Sequence, residues 1–376
     1  MVRTLSWCFV LLVSLFSAEA YNFLSLGDWG GASLSQQDKQ NVYDVAEAMD
    51  KNAGEYKPEF ILSLGDLFYW CGIQNTSDFQ IAVDFEEPYS TDNLKDLDWY
   101  NVLGNHEYGY NSQAVLDYSQ NNSHWIIPER YYTKRVEIDS SSNLHMTMIF
   151  LDTSPCVASY RASDPRLWDP CSTEYPTCSP GASDDDFEGD CKFNENILQQ
   201  NCTAQYDWLQ STLASVDSED WLVVVGHHPL DEVNVYDFTK LLQGHGFSIY
   251  LNGHAHTLSR YTLDGKGAYV TSGAGSLVDT PDQLLGPTAM KVKGESTPEG
   301  DLFEEDSYEK LEEDHRRLQA GKRRHHYKTV WNEMIAGFTS HAFNEDFTEL
   351  TTRFIAYSGD ELYSFTSTKD GTVLGE

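Results

Sequence analysis

An α/β domain with mixed sheets is the fold this sequence predicts. Three observations carry it. Near-continuous apolar runs of strand length recur along the chain, as in strands covered on both faces. In the first half these runs alternate with segments of helical spacing, which is the pattern of parallel strands joined by crossover helices. In the last fifty residues, closely spaced alternating runs read as antiparallel strands.

The elements follow in order. Tyr21 to Leu26 is an apolar strand ending in Gly27-Asp28-Trp29-Gly30. Val42, Val45, Ala46 and Met49 then recur at helical spacing behind Ser35, a plausible N-cap. Phe60 to Leu64 is a buried strand ending in Gly65-Asp66-Leu67-Phe68-Tyr69. Trp99 to Leu103 ends in Gly104-Asn105-His106-Glu107, and Leu144 to Leu151 enters Asp152-Thr153. Tyr206 to Val216 is a short amphipathic helix. Trp221 to Val225 ends in Gly226-His227-His228-Pro229, Phe247 to Leu251 in Asn252-Gly253-His254-Ala255-His256, and Ala268 to Ser272 in Gly273-Ala274-Gly275. Met334 to Phe343, Phe347 to Tyr357 and Glu361 to Phe365 complete the set.

Residues 1–20 read as a secretory signal peptide. Arg3 supplies the positive start, Leu5 to Phe16 the apolar core, and Ala18-Glu19-Ala20 the cleavage site. That apolar run is too short to span a bilayer. Residues 21–376 then form one elaborated domain of a secreted protein, with no linker separating two cores. Six cysteines remain after cleavage, Cys71, Cys156, Cys171, Cys178, Cys191 and Cys202, an even number compatible with three disulfides of unspecified pairing. Glycosylation sequons begin at Asn75, Asn121 and Asn201. The formal charge of -34 repels nucleic acid and anionic membranes.

Two regions depart from the regular pattern. Residues 155–203 hold five of those cysteines, many prolines and the run Asp184-Asp185-Asp186, and read as a disulfide-tied loop. Asp184, Asp186, Glu188, Gly189 and Glu195 have the offsets of an EF-hand loop, against a plainer reading as acidic, solvated chain. Residues 281–328 carry nine acids between Glu299 and Asp314 and then the basic run Lys322-Arg323-Arg324-His325-His326, and read as a charged insertion exposed to solvent.

Five strands thus end in or near a glycine followed by a potential metal ligand: Asp28; Asp66 with Tyr69; Asn105 with His106; His227; His254 with His256. Glycine lets the backbone turn sharply where a strand stops, so the next side chain projects into the crevice at the carboxyl ends of the strands. A single such histidine is more often structural, but five equivalent coincidences point to a site. Mixed oxygen and nitrogen donors suit hard to borderline cations. Asp66 has two oxygens and can bridge two metals about 3.5–4 Å apart, as in two-metal hydrolases.

The blocks GDWG, GDLFY, GNHE, VVGHH and GHAH resemble the signature blocks of the purple acid phosphatases, within the metallophosphoesterases, and above all the small tartrate-resistant acid phosphatase type. Similar segments extend the resemblance, among them Trp125-Ile126-Ile127-Pro128 and Ser272-Gly273-Ala274-Gly275, so that it runs from Tyr21 to Thr366 outside the two irregular regions. The resemblance implies a sandwich of two mixed β-sheets flanked by helices. It implies ferric iron held by Asp28, Asp66, Tyr69 and His256, and a divalent iron, zinc or manganese held by Asp66, Asn105, His227 and His254. Tyr69 stands where the wider superfamily has other residues, and Gly30 replaces the histidine of its usual D-x-H; a phenolate favours the harder, trivalent ion. Two carboxylates and a phenolate contribute about -3 against roughly +5 from the metals, so the site attracts phosphate locally despite the acidic surface.

The implied reaction is hydrolysis of phosphate monoesters, small or on phosphorylated proteins, by a metal-bound hydroxide. His106 is placed to contact the phosphate, with Glu107 orienting it. The tartrate-resistant type has a further histidine after G-H-x-P, and Leu230 to Tyr236 has none. His228, where that type has a bulky aromatic residue, is read as a substrate-side donor against a packing role. Trp29, Trp70, Tyr108 and Tyr110 are candidates for the rim or for the core, and Asp152 is structural. The rival readings are a metallophosphodiesterase or nucleotidase with the same metals, a secreted iron-binding or redox protein, and a disulfide-tied interaction module.

Overall fold

The computed structural model describes residues 21–162, 168–171, 178, 190–278 and 325–375. Its strands are β1 Tyr21–Leu26, β2 Phe60–Ser63, β3 Asp98–Asn101, β4 Trp125–Ile126, β5 Tyr132–Asp139, β6 Leu144–Phe150, β7 Trp221–Val225, β8 Ile249–Asn252, β9 Leu258–Leu263, β10 Lys266–Ser272, β11 Tyr327–Glu333, β12 Gly337–Phe343, β13 Glu349–Ala356 and β14 Glu361–Thr368. They form two seven-stranded sheets, ordered β14-β13-β12-β1-β2-β3-β4 and β11-β9-β10-β8-β7-β6-β5. Both are mixed. In the first, β1 to β4 are parallel neighbours, and β12 joins β1 antiparallel. In the second, β6, β7, β8 and β10 are parallel, with antiparallel strands on either side.

The sheets pack face to face. Tyr100 of β3 lies 5.9 Å from Phe150 of β6, and Trp221 of β7 lies 4.9 Å from Phe343 of β12, ring centre to ring centre. Alternation along β7 shows why its run is apolar throughout. Val223 and Val225 join the large core shared by both sheets, while Leu222 and Val224 join a second core on the opposite face. That second core is covered by α4 Cys202–Leu213 and α5 Phe238–His245, through Leu209, Leu213 and Leu242.

On the first sheet, α1 Gln36–Tyr56 starts as expected. Ser35 accepts from the Asp38 amide, and Val42, Val45, Ala46 and Met49 are buried. Trp29 belongs to the core and not to a rim. It is fully buried, packs edge-on against Phe68, Tyr89, Trp99 and Trp125, and donates to the Ser63 hydroxyl at 3.0 Å. α2 Ser112–Asp117 lies before the cysteine-rich region, and the described residues of that region include α3 Phe193–Leu198 and the start of α4. Its bridges are Cys71–Cys178, Cys156–Cys202 and Cys171–Cys191. Residues 184–189, with most of the EF-hand-like offsets, lie outside the described residues; Glu195 is in α3. So does most of the charged insertion, whose last two residues, Tyr327 and Lys328, already belong to β11.

His341 of β12 is sealed between the layers. It stacks on Phe23 at 4.6 Å, with Ser25 Oγ 3.0 Å from Nε2 and Thr352 Oγ1 3.0 Å from Nδ1. Burial, aided by Arg353, lowers its pKa from 6.5 to about 3. As pH falls from the first value toward the second, the unfolded chain takes up the proton before the folded one, so stability falls. At about pH 4.5 this residue should withdraw roughly 2–3 kcal/mol relative to about pH 7. Urea titrations of His341→Gln should show a decline with acid shallower by that amount.

Candidate metal centre

The carboxyl ends of β1, β2 and β3 meet those of β7 and β8, and each of these five strands delivers one of the predicted blocks. Local backbone conformation makes the delivery possible. Asp28, Asp66 and His254 all have positive φ, 57°, 50° and 69°, in the left-handed region that Asp, Asn and His tolerate better than most residues. Gly65 has φ 89°, and a Cβ there would sit 2.5 Å from His227 Nδ1. A Cβ on Gly104 would collide with the Asp66 carboxylate.

Two donor groups share Asp66. In the first, the Tyr69 hydroxyl lies 3.0 Å from Asp28 Oδ1, 3.3 Å from Asp66 Oδ2 and 3.1 Å from His256 Nε2. In the second, Asp66 Oδ2 lies 3.2 Å from His227 Nε2, and Asn105 Oδ1 lies 3.0 Å from both His227 Nε2 and His254 Nδ1. All seven predicted ligands therefore converge, with three oxygens and one nitrogen on one side and two of each on the other. His227 is oriented from behind, its Nδ1 2.8 Å from the Leu64 carbonyl.

The field matches a cation site. Burial raises Asp28 to about 6 against the hydrogen bond from His256. Burial also acts to raise Asp66, but His227, His106 and His254 outweigh it and hold its carboxyl well below the usual range. Burial and the carboxylates of Asp28 and Asp66 push the Tyr69 phenol well above its ordinary value, so only a strong Lewis acid would deprotonate it. Among the described residues, the ion-pair contacts of Asp28 and Asp66 are with histidines. Seven convergent donors, two of them buried carboxylates with no lysine or arginine partner there, fit a pair of hard to borderline metals.

His106 borders the pair. Its Nε2 lies 3.8 Å from Asp66 Oδ2, its Nδ1 contacts the Trp70 carbonyl, and its ring packs between Tyr69 at 4.5 Å and Trp168 at 5.2 Å. Glu107 does not orient it. The fully buried Glu107 carboxylate accepts four backbone amides: Gly104 at 2.7 Å and Asp66 at 3.1 Å on Oε2, Leu67 at 2.8 Å and Phe68 at 3.1 Å on Oε1. A carboxylate has lone pairs for four donors, and here they all come from the two ligand-bearing loops. His228 is fully buried, its Nδ1 2.8 Å from Thr153 Oγ1 and its Nε2 3.2 Å from the Tyr160 hydroxyl, with its ring 4.3 Å from that of His254. Of the remaining rim candidates, Trp70 is partly exposed beside His106, whereas Tyr108 is fully buried and donates to Asp152.

Sequence reasoning missed two wall residues. Glu232 brings a carboxylate 3.6 Å from His254 Nε2, and its signal was the acidic pair Asp231-Glu232 where a histidine was sought. Trp168, within the cysteine-rich region, left no signal.

Across residues 21–258 the chain matches the family model described as Calcineurin-like phosphoesterase. It belongs to that family. Among this phosphoesterase's relatives are tartrate-resistant acid phosphatase type 5 of Oryctolagus cuniculus, 30% identical over 270 residues that span 69% of this chain and 74% of that one, and purple acid phosphatase 7 of Arabidopsis thaliana, 27% identical over 269 residues, 68% and 70%. Its fold also resembles GAP50, described as the anchor in the inner membrane complex of Plasmodium, with a TM-score of 0.59 and 18% identity across 93% of this chain and 88% of that one. The two mixed sheets are those of the family, and with acid phosphatases as relatives the chain is a hydrolase of phosphate esters.

Glu107→Gln should keep the volume but turn an NH2 group toward backbone donors, destabilising the fold by about 2–4 kcal/mol. Glu107→Ala, leaving four amides without their acceptor, should cost more. Urea denaturation of both variants checks the order.

Proposed function

We propose that this protein is a secreted acid phosphatase that cleaves phosphate monoesters at a binuclear metal centre. The observation that carries the reading is the Tyr69 hydroxyl within 3.0–3.3 Å of Asp28, Asp66 and His256, next to a second donor group that shares Asp66. Asp28, Asp66, Tyr69 and His256 would hold ferric iron, whose hardness suits a phenolate; Asp66, Asn105, His227 and His254 would hold a divalent iron, zinc or manganese. When bound, such a pair supplies the Lewis acidity that acidifies a water and polarises the phosphoryl oxygens.

The chain's residues do the rest. His106, anchored through Nδ1 by the Trp70 carbonyl, presents Nε2 to the phosphate and its departing oxygen. Trp70 and Trp168 flank it and limit water on that side. His228, both nitrogens engaged, supports the His254 ring, which favours packing over substrate contact. Secretion is supported by the signal-like leader, three disulfides, and sequons at Asn75, Asn121 and Asn201 that are all exposed. Phosphate esters, small or on proteins, are the proposed partners, and the acidic surface disfavours nucleic acid.

The first test is the visible spectrum and metal content of the purified protein. Wild type should be violet with two metals per chain, and Tyr69→Phe should lose the band; a colourless wild type with two divalent metals would point instead to the wider phosphoesterase class. His106→Ala should keep both metals and lose about 10²-fold in kcat on an aryl phosphate. His228→Phe should keep most activity. Monoester rates well above diester rates separate this reading from a phosphodiesterase, and metal binding without turnover would favour the iron-binding alternative.

A further inference from the structure

Away from the metal centre lies a cavity of about 790 Å³, within the size range of small-molecule sites. None of the seven proposed ligands lines it. Its walls come from the chain around α2 and β4, and from the turn between α3 and α4.

The lining has a definite chemistry. Tyr131 and Trp208 form an aromatic pair, ring centres 4.9 Å apart, and both are partly exposed. Around them stand the amides of Gln120, Gln199 and Gln200, which both donate and accept. Asp152 lines the cavity too. It is buried, its Oδ2 takes the Tyr108 hydroxyl, and its Oδ1 has no hydrogen-bond partner in the structure. Arg130 is tied to Tyr108 and Ser112, both at 3.1 Å, so it is held in the wall. The carboxyl groups of Asp117, Glu129 and Asp152 outnumber that single guanidinium, which makes the cavity unwelcoming to a phosphate ester.

We propose that this cavity is a sugar-binding site that takes a neutral hexose or N-acetylhexosamine ring. Such a ring has a C–H face that packs on an aromatic side chain and a rim of hydroxyls that match the amides and the carboxylates of Asp117 and Glu129. The positions of the sequons fit the same ligand. Asn201 lines the cavity, and Asn121 follows the lining residue Gln120. Asn201 caps α4 through its side-chain oxygen, whereas a glycan is carried on the nitrogen. The ring therefore has two available sources: a glycan on this chain, favoured by its high effective concentration, or a glycan of another molecule.

The experiment is a calorimetric titration of the full protein with N,N′-diacetylchitobiose and with a mannose trisaccharide, before and after complete enzymatic release of N-glycans. Saturable binding is expected. Binding that appears only after release identifies the chain's own glycan as the occupant, and binding in both forms identifies a glycan from elsewhere. Trp208→Leu should weaken binding at least tenfold, and the exposed Gln199→Ala severalfold, with phosphatase rate and melting temperature unchanged in the latter. No saturable binding in either form, or binding equally tight in Trp208→Leu, overturns the proposal.

Discussion

One carboxylate holds the centre of this molecule in register. Glu107 takes the amides of Gly104 on one loop and of Asp66, Leu67 and Phe68 on another, so the loops after β2 and β3 cannot move independently. Asp66 depends on this most, because its φ of 50° is one that an unrestrained chain seldom visits. The same carboxylate lies deep enough that burial and the neighbouring Asp66 raise its pKa, with the Gly104 and Phe68 amides acting against them. Precision at the centre comes from a group that meets no substrate.

What the sequence made legible follows from periodicity. Strands buried on both faces must be apolar throughout, and strand ends that deliver ligands must turn sharply, so Gly65-Asp66 and Gly253-His254 announce themselves. The seven convergent side chains were readable for that reason. Residues whose roles depend on distant neighbours were not. Trp29 next to a ligand reads equally as rim or core until its five aromatic partners, from Phe68 to Trp125, are in place. Glu107 next to His106 looks like its orienter, yet the side chain turns toward backbone amides that no motif records. Cysteine pairing is likewise a matter of three-dimensional proximity, and Trp168 reaches His106 from more than sixty residues away in a region without period.

Electrostatics divides the protein by distance. The surface charge acts over many ångströms and is screened by salt, whereas the centre is governed by groups within hydrogen-bond reach in a dry setting. His227 is the clearest case: burial alone would lower its pKa, but Asp66 and Asp28 raise it to about 9. His254, under burial and the neighbouring His227, moves the other way to about 3. Adjacent imidazoles thus differ sharply in proton affinity before any cation is held, because one faces two carboxylates and the other a charged neighbour.

The convergence of both sheets on one point carries a mechanical implication. Asp28, Asp66, Tyr69 and Asn105 ride on the first sheet, and His227, His254 and His256 on the second. Cations held by these groups would act as rivets through the sandwich, joining layers that otherwise adhere by side-chain packing and a few hydrogen bonds between them. Separating the layers would mean giving up the ions, so occupancy and unfolding become one equilibrium. At a free-ion level a thousand times the dissociation constant, that coupling is worth about 4 kcal/mol. Scarcity of metal would then shorten the protein's lifetime before it limited its turnover.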